Sequence, residues 1–136
     1  MSQLRLIPVI ALMLLSPPVA RADETAARAV TREYRNAWLA NGPARVMATL
    51  TADAVLLPSG MKPIAGEAAI RRFWFPATGP ATRVTAMEHT IDGVTGQGGV
   101  YVLRGTGTLS YELTYPDGRV QKATQASWFL NVVERQ

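Results

Sequence analysis

The chain contains no cysteine, a single histidine and no run of lysines or arginines. Without cysteine neither a disulfide scaffold nor a thiolate metal site can form. One histidine excludes a multi-histidine metal centre, although a carboxylate site stays open. There is no Ser-His-Asp spacing, no phosphate-cradling glycine loop that leads into a helix, and no cluster with metal-ligand spacing, so neither cofactor nor metal is expected. The most apolar stretch, Leu6 to Leu15, is broken by Pro8 and covers about ten residues, too few for a stable span of ~30 Å of hydrocarbon. At 136 residues the chain has room for one domain.

The start of the sequence has the three parts of a secretion signal in order. Arg5 supplies the positive region, Leu6 to Leu15 the apolar region, and Ala20-Arg21-Ala22, after Ser16-Pro17-Pro18, the small-x-small cleavage pattern. Residues 1–22 are therefore expected to be a signal peptide and residues 23–136 the mature domain, periplasmic or secreted. A short membrane anchor or a hydrophobic first helix is the other reading. Two of the fourteen basic residues, Arg5 and Arg21, fall in 1–22, which leaves twelve basic against ten acidic residues, a net +2, in 23–136. So small a charge without a basic run excludes nucleic acid as the expected partner.

Helices come first in the remaining sequence. Glu24 to Asn41 places Ala27, Val30, Tyr34, Ala37 and Trp38 at helical spacing, and Gly42-Pro43 ends it. Pro43 suits the first turn of a second helix, Ala44 to Leu50, apolar at Val46, Met47 and Leu50. Asp53 to Leu57 reads as a short strand, Lys62-Pro63-Ile64 as a shorter edge strand, and Gly66 to Phe75 as a third helix. From Thr82 the period changes to two. Thr85, Met87, His89 and Ile91 alternate with Val84, Ala86, Glu88 and Thr90, and Asp92-Gly93 with Gly96 to Gly99 marks a turn. In Val100 to Tyr115 one face carries Tyr101, Leu103, Leu109, Tyr111, Leu113 and Tyr115, with Gly105 and Gly107 where a sheet bends. Tyr115-Pro-Asp-Gly118 is a tight turn, and Arg119 to Val133 returns. Helices followed by a long antiparallel meander predict an α+β fold with the helices on one side of the sheet.

These patterns resemble the nuclear transport factor 2-like superfamily, in particular its SnoaL-like and ketosteroid-isomerase-like members. The segments that carry the resemblance are Ala37-Trp38 with Gly42, Leu50-Thr-Ala-Asp-Ala-Val-Leu-Leu-Pro58, Ile64-Ala-Gly-Glu-Ala-Ala-Ile70-Arg-Arg-Phe73 and the hairpin about Pro116-Asp117-Gly118. The resemblance implies a cone-shaped, strongly curved antiparallel sheet wrapped around the N-terminal helices, with an apolar pocket at the wide end. It implies that Tyr34 lies within one residue of the isomerases' oxyanion-donating tyrosine. Their proton-abstracting aspartate has no counterpart at Leu57-Pro58-Ser59. It also implies one more strand after Ala126 to Val133, where this sequence has only Glu134-Arg-Gln136. The final strand is thus expected to be missing, which would leave Trp128, Phe129, Leu130, Val132 and Val133 on an edge that pairs with another chain.

His89 is the candidate catalytic base, a neutral imidazole between Met87 and Ile91, or else a hydrogen-bonded, half-buried histidine near a strand end. Tyr34 is the candidate donor. Trp38, Phe73, Trp74, Tyr101, Tyr111 and Trp128 are candidate ligand-lining residues, each of which could equally be core. Tyr34, Trp38, Phe73 and His89 are expected to border one apolar cavity between the first helix and the concave sheet face. The leading expectation is a domain that binds a small apolar molecule. The rivals are an isomerase, cyclase or dehydratase that uses His89 and Tyr34, and a ligand-free interaction module. A homodimer through the sheet is expected.

Overall fold

The structure is a computed structural model that describes residues 18–135, with side chains described from Asp23 onward. Most of the expected signal segment, residues 1–17, lies outside the described residues, and 18–22 form the start of the first helix. The order is α1 (Pro18–Leu39), α2 (Pro43–Met47), β1 (Val55–Leu56), β2 (Ile64–Ala65), α3 (Glu67–Trp74), β3 (Ala81–Gln97), β4 (Val100–Thr114) and β5 (Val120–Glu134). β1 and β2 form a small hairpin, and β3-β4-β5 an antiparallel meander that α1 crosses on one side. The fold is thus α+β, with the three-stranded sheet open rather than closed.

The inward stripe of α1 differs from the periodic reading at one position. Ala27, Ala37 and Trp38 are buried as expected, but Val30 is 39% exposed while Thr31 is 3% exposed. The helix also ends through a different residue. Asn41, not Gly42-Pro43, adopts the left-handed conformation (φ 51°), and the Asn41 and Gly42 amides donate to the Trp38 and Ala37 carbonyls. Such paired bonds close a helix C-terminus, and asparagine tolerates the conformation better than other non-glycine residues. Pro43 then starts α2 without wasting a donor.

β3 runs as one strand through the expected turn at Asp92-Gly93, because a bulge between Ile91 and Gly93 absorbs the irregularity. A second bulge, between Val84 and Ala86, turns Val84 inward beside Met87, so that both are buried. The tip is the two-residue Gly98-Gly99, both with positive φ. In β4 a side chain at Gly105 would collide with the Thr90 carbonyl oxygen and the Phe129 ring, so the close approach of strands demands glycine there.

Two apolar clusters hold α1 to the sheet. One joins Ala37, Trp38, Val46, Val84 and Met87 with Tyr34, Leu39, Trp74, Phe75 and Leu109 around it. The other joins Ala27, Tyr101 and Leu103 with Ile91, Val94 and Val133. Tyr101 also donates to Asp23 at 3.4 Å, and Arg135 pairs with the same carboxylate, which ties the sheet end to α1. His89 lies between the clusters.

Candidate functional site

The candidate site is assembled by parity along three strands and by one helix. Met87, His89 and Ile91 alternate with exposed Glu88 and Thr90, so the imidazole points to the side that α1 covers. On α1, Tyr34 sits one turn before Trp38 and its ring stacks on the imidazole, with centroids 6.5 Å apart and planes 12° from parallel. From β5, Phe129 closes the other flank, its centroid 5.0 Å from that of His89. Gly107, paired with His89 in the ladder, leaves the necessary room. A Cβ there would lie 3.0 Å from His89 Cδ2.

Electrostatics give the two polar groups opposite characters. Burial raises the Tyr34 pKa above the ordinary phenol value, and the neighbouring Trp38 N–H only partly offsets this, so Tyr34 stays a protonated donor. His89 is lowered below the ordinary imidazole value, first by burial and then by the Arg35 charge, against a smaller opposing effect of Glu88. At neutral pH the ring is therefore uncharged, and its buried Nδ1 has no hydrogen-bond partner among the described residues. A neutral acceptor beside a protonated phenol can orient a polar ligand atom or move a proton.

The other candidates disperse. Trp38 and Trp74 pack edge-on at 5.3 Å and Phe75 stacks on Trp38 at 5.2 Å, so the space under α1 beside Tyr34 is filled by aromatic rings rather than open to a ligand. Phe73 is 41% exposed on α3, and Trp128 is 81% exposed on the opposite sheet face, where it borders a shallow groove with Glu88, Thr90, Thr106 and Thr108. These two placements correct the expectation that Phe73 and Trp128 face the ligand. Tyr101 belongs to the second cluster, and Tyr111, whose hydroxyl accepts from Gln125 at 3.2 Å, lies ten residues further along β4. That is about 30 Å of strand, too far for one small ligand to touch both. Of the expected residues, His89, Tyr34, Trp38 and Trp74 come together.

Neither Phe129 nor Thr31 was expected at the site from sequence, and the buried Thr31 hydroxyl also lacks a partner among the described residues. Phe129 was legible: in the hairpin closed by the Tyr115 amide on the Arg119 carbonyl, counting back in pairs sets Phe129 opposite Gly105 on the inner face and Trp128 opposite Thr106 on the outer. An open groove of about 490 Å³ runs beside the site, between α1 and β3, lined by Arg28, Thr31, Arg32, Arg35, Glu88, His89 and Ile91. No group of three or more His, Cys, Asp or Glu among the described residues could hold a metal ion, and no helix among them is long and apolar enough to cross a membrane.

Comparison with known proteins adds the lineage of this architecture. The model of a family described as the SnoaL-like domain matches residues 30–131. A conserved protein from Planctomyces limnophilus is similar in structure (TM-score 0.63, 18% identity, 85% of this chain and 86% of the other). So are a ketosteroid isomerase-like protein from Erwinia carotovora atroseptica (0.56, 21%, 76% and 78%) and a Catenulispora acidiphila protein in complex with S-DNPA (0.55, 15%, 85% and 84%). No protein of curated function matches the chain.

Proposed function

The chain belongs to the SnoaL-like domain family, within the nuclear transport factor 2-like fold, and from that premise we propose that it binds a small, mostly apolar molecule against the concave face at His89. Members of this fold are commonly ligand-binding proteins or isomerases and cyclases, and one structural neighbour carries a small-molecule ligand. The observation that carries the reading is the neutral His89 imidazole held between Tyr34 and Phe129 with its buried Nδ1 unpartnered. A buried polar atom without a partner costs about 1–3 kcal/mol, which a ligand atom at hydrogen-bond distance recovers. Native mass spectrometry of the purified protein tests this. Wild type retains a non-covalent small molecule that His89→Ala loses; no retained molecule, or the same one in both, overturns it.

A second reading is favoured by the adjacency of Tyr34 and His89. With His89 as neutral base and Tyr34 as donor to a developing oxyanion, the pair suits proton transfer at a carbon next to a carbonyl. Its signature is turnover of such a substrate that falls on the acid side as His89 protonates and is lost in both Tyr34→Phe and His89→Ala. We also propose export, with Asp23 as the mature N-terminus, and self-association through the outer sheet face, where Trp128, Leu130 and Val132 are 81%, 65% and 59% exposed. N-terminal sequencing of exported protein that begins at Met1 would refute the former.

A further inference from the structure

The groove between α1 and β3 contains features that binding of an apolar molecule does not use. Three arginines, Arg28, Arg32 and Arg35, recur at helical spacing along its α1 wall. Two of them are committed. Arg28 pairs with Glu24 at 3.0 Å, and Arg35 pairs with Glu88 at 3.0 Å while donating to the Met87 carbonyl at 2.6 Å. Arg32 is exposed and has no ion-pair partner among the described residues, so the groove holds one uncompensated positive charge. Between these arginines Thr31 is 3% exposed, and its Oγ1 makes no hydrogen bond among the described residues. A helical threonine ordinarily returns its hydroxyl to a carbonyl of the preceding turn, and its two accessible rotamers allow the hydroxyl to be turned outward instead. His89 lines the same groove, with an unpartnered Nδ1.

We propose that this groove is a subsite for the carboxylate of a small monoanionic organic acid, with Arg32 as its counter-charge and, as its hydrogen-bond donors, the Thr31 hydroxyl and the Nδ1–H tautomer of the neutral His89 imidazole. Arginine suits this role because its planar guanidinium meets both carboxylate oxygens. One free positive charge matches one negative charge, and Glu88 on the groove wall disfavours a second. The apolar body of the acid lies toward Ile91 and the His89–Phe129 contact. The proposal rests on the reading of the concave face as a ligand site and names the chemical class that the site takes.

His89 is the chain's one histidine, so its ring gives a single set of nuclear magnetic resonance signals that needs no assignment by mutation. Titration of the protein with benzoate and with benzyl alcohol compares the same ring with and without the charge. Benzoate shifts the His89 signals saturably and binds about tenfold tighter than benzyl alcohol. Arg32→Gln, an exposed substitution, abolishes that preference without changing the benzyl alcohol affinity, and Thr31→Val weakens benzoate alone. Equal affinity for the two probes, or a preference that survives Arg32→Gln, overturns the anion subsite and leaves the apolar reading standing. If neither probe shifts His89, both fall.

Discussion

The two edges of the sheet are finished in different ways. Along β3 three backbone groups are taken up by α1 and the turn after it: Asn41 donates to the Val84 carbonyl at 3.0 Å and accepts from the Val84 amide at 2.8 Å, while Arg35 donates to the Met87 carbonyl at 2.6 Å. One side-chain amide thus imitates a neighbouring strand. Along β5 no side chain among the described residues bonds the outward backbone, and the face nearby carries exposed Trp128, Leu130 and Val132. The contrast teaches where the molecule is structural and where it is available. The helix seals the β3 edge near Val84 and Met87 and its aromatic cluster, the β5 edge keeps the surface that a second chain would use, and the ligand groove opens between α1 and β3 at His89.

The largest expected effect lies in the sealed half. Trp38→Ala removes the centre of the aromatic cluster and should cost about 3–5 kcal/mol in urea denaturation, whereas Trp128→Ala on the open half should stay within about 0.5 kcal/mol. Equal losses would break the contrast. Asn41→Ala should follow at about 2 kcal/mol, because it removes both bonds to Val84 and leaves a Cβ residue in the left-handed conformation. Recovery by Asn41→Gly of the conformational part alone would sharpen it.

Association and titration are the smaller effects. Leu130→Lys on the exposed stripe should shift sedimentation toward the monomer with little change in thermal midpoint. A wild-type monomer at high concentration would instead show that the β5 side is protected. His89 makes the last difference. Its pKa is lowered on folding, so the stability it allows is complete above the ordinary imidazole value of about 6.5 and declines as pH falls through the folded-state value. Between pH 7 and 5 the midpoint of wild type should fall, and that of His89→Gln should stay nearly flat. Parallel curves would place His89 in solvent.

Much of this was legible beforehand, and the omissions have physical causes. Apolar periodicity and turn residues marked all three helices and the long meander, since those signals are local. Helix ends were less legible: Asn41 terminates α1 in the left-handed conformation, and the glycine and proline that follow it carry the stronger local stop signal. A hydrophobic pattern also could not reveal Thr31, a polar residue in a buried position. The two β3 bulges change the parity of Val84 and Val94, which no alternating pattern indicates. Within the site, His89 and Tyr34 could be placed on one cavity, but the near-parallel stacking of their rings depends on how α1 crosses the sheet. Phe129 rather than Trp128 faces His89 because the hairpin register, not side-chain size, decides the face.

The central claim, that the inner face around His89 receives a ligand and the outer face does not, is tested most directly by following the His89 ring signals during titration with benzyl alcohol in wild type, Phe129→Ala and Trp128→Ala. The account predicts a saturable shift that Phe129→Ala abolishes and Trp128→Ala preserves. A shift that survives loss of Phe129, or disappears with Trp128, would contradict it.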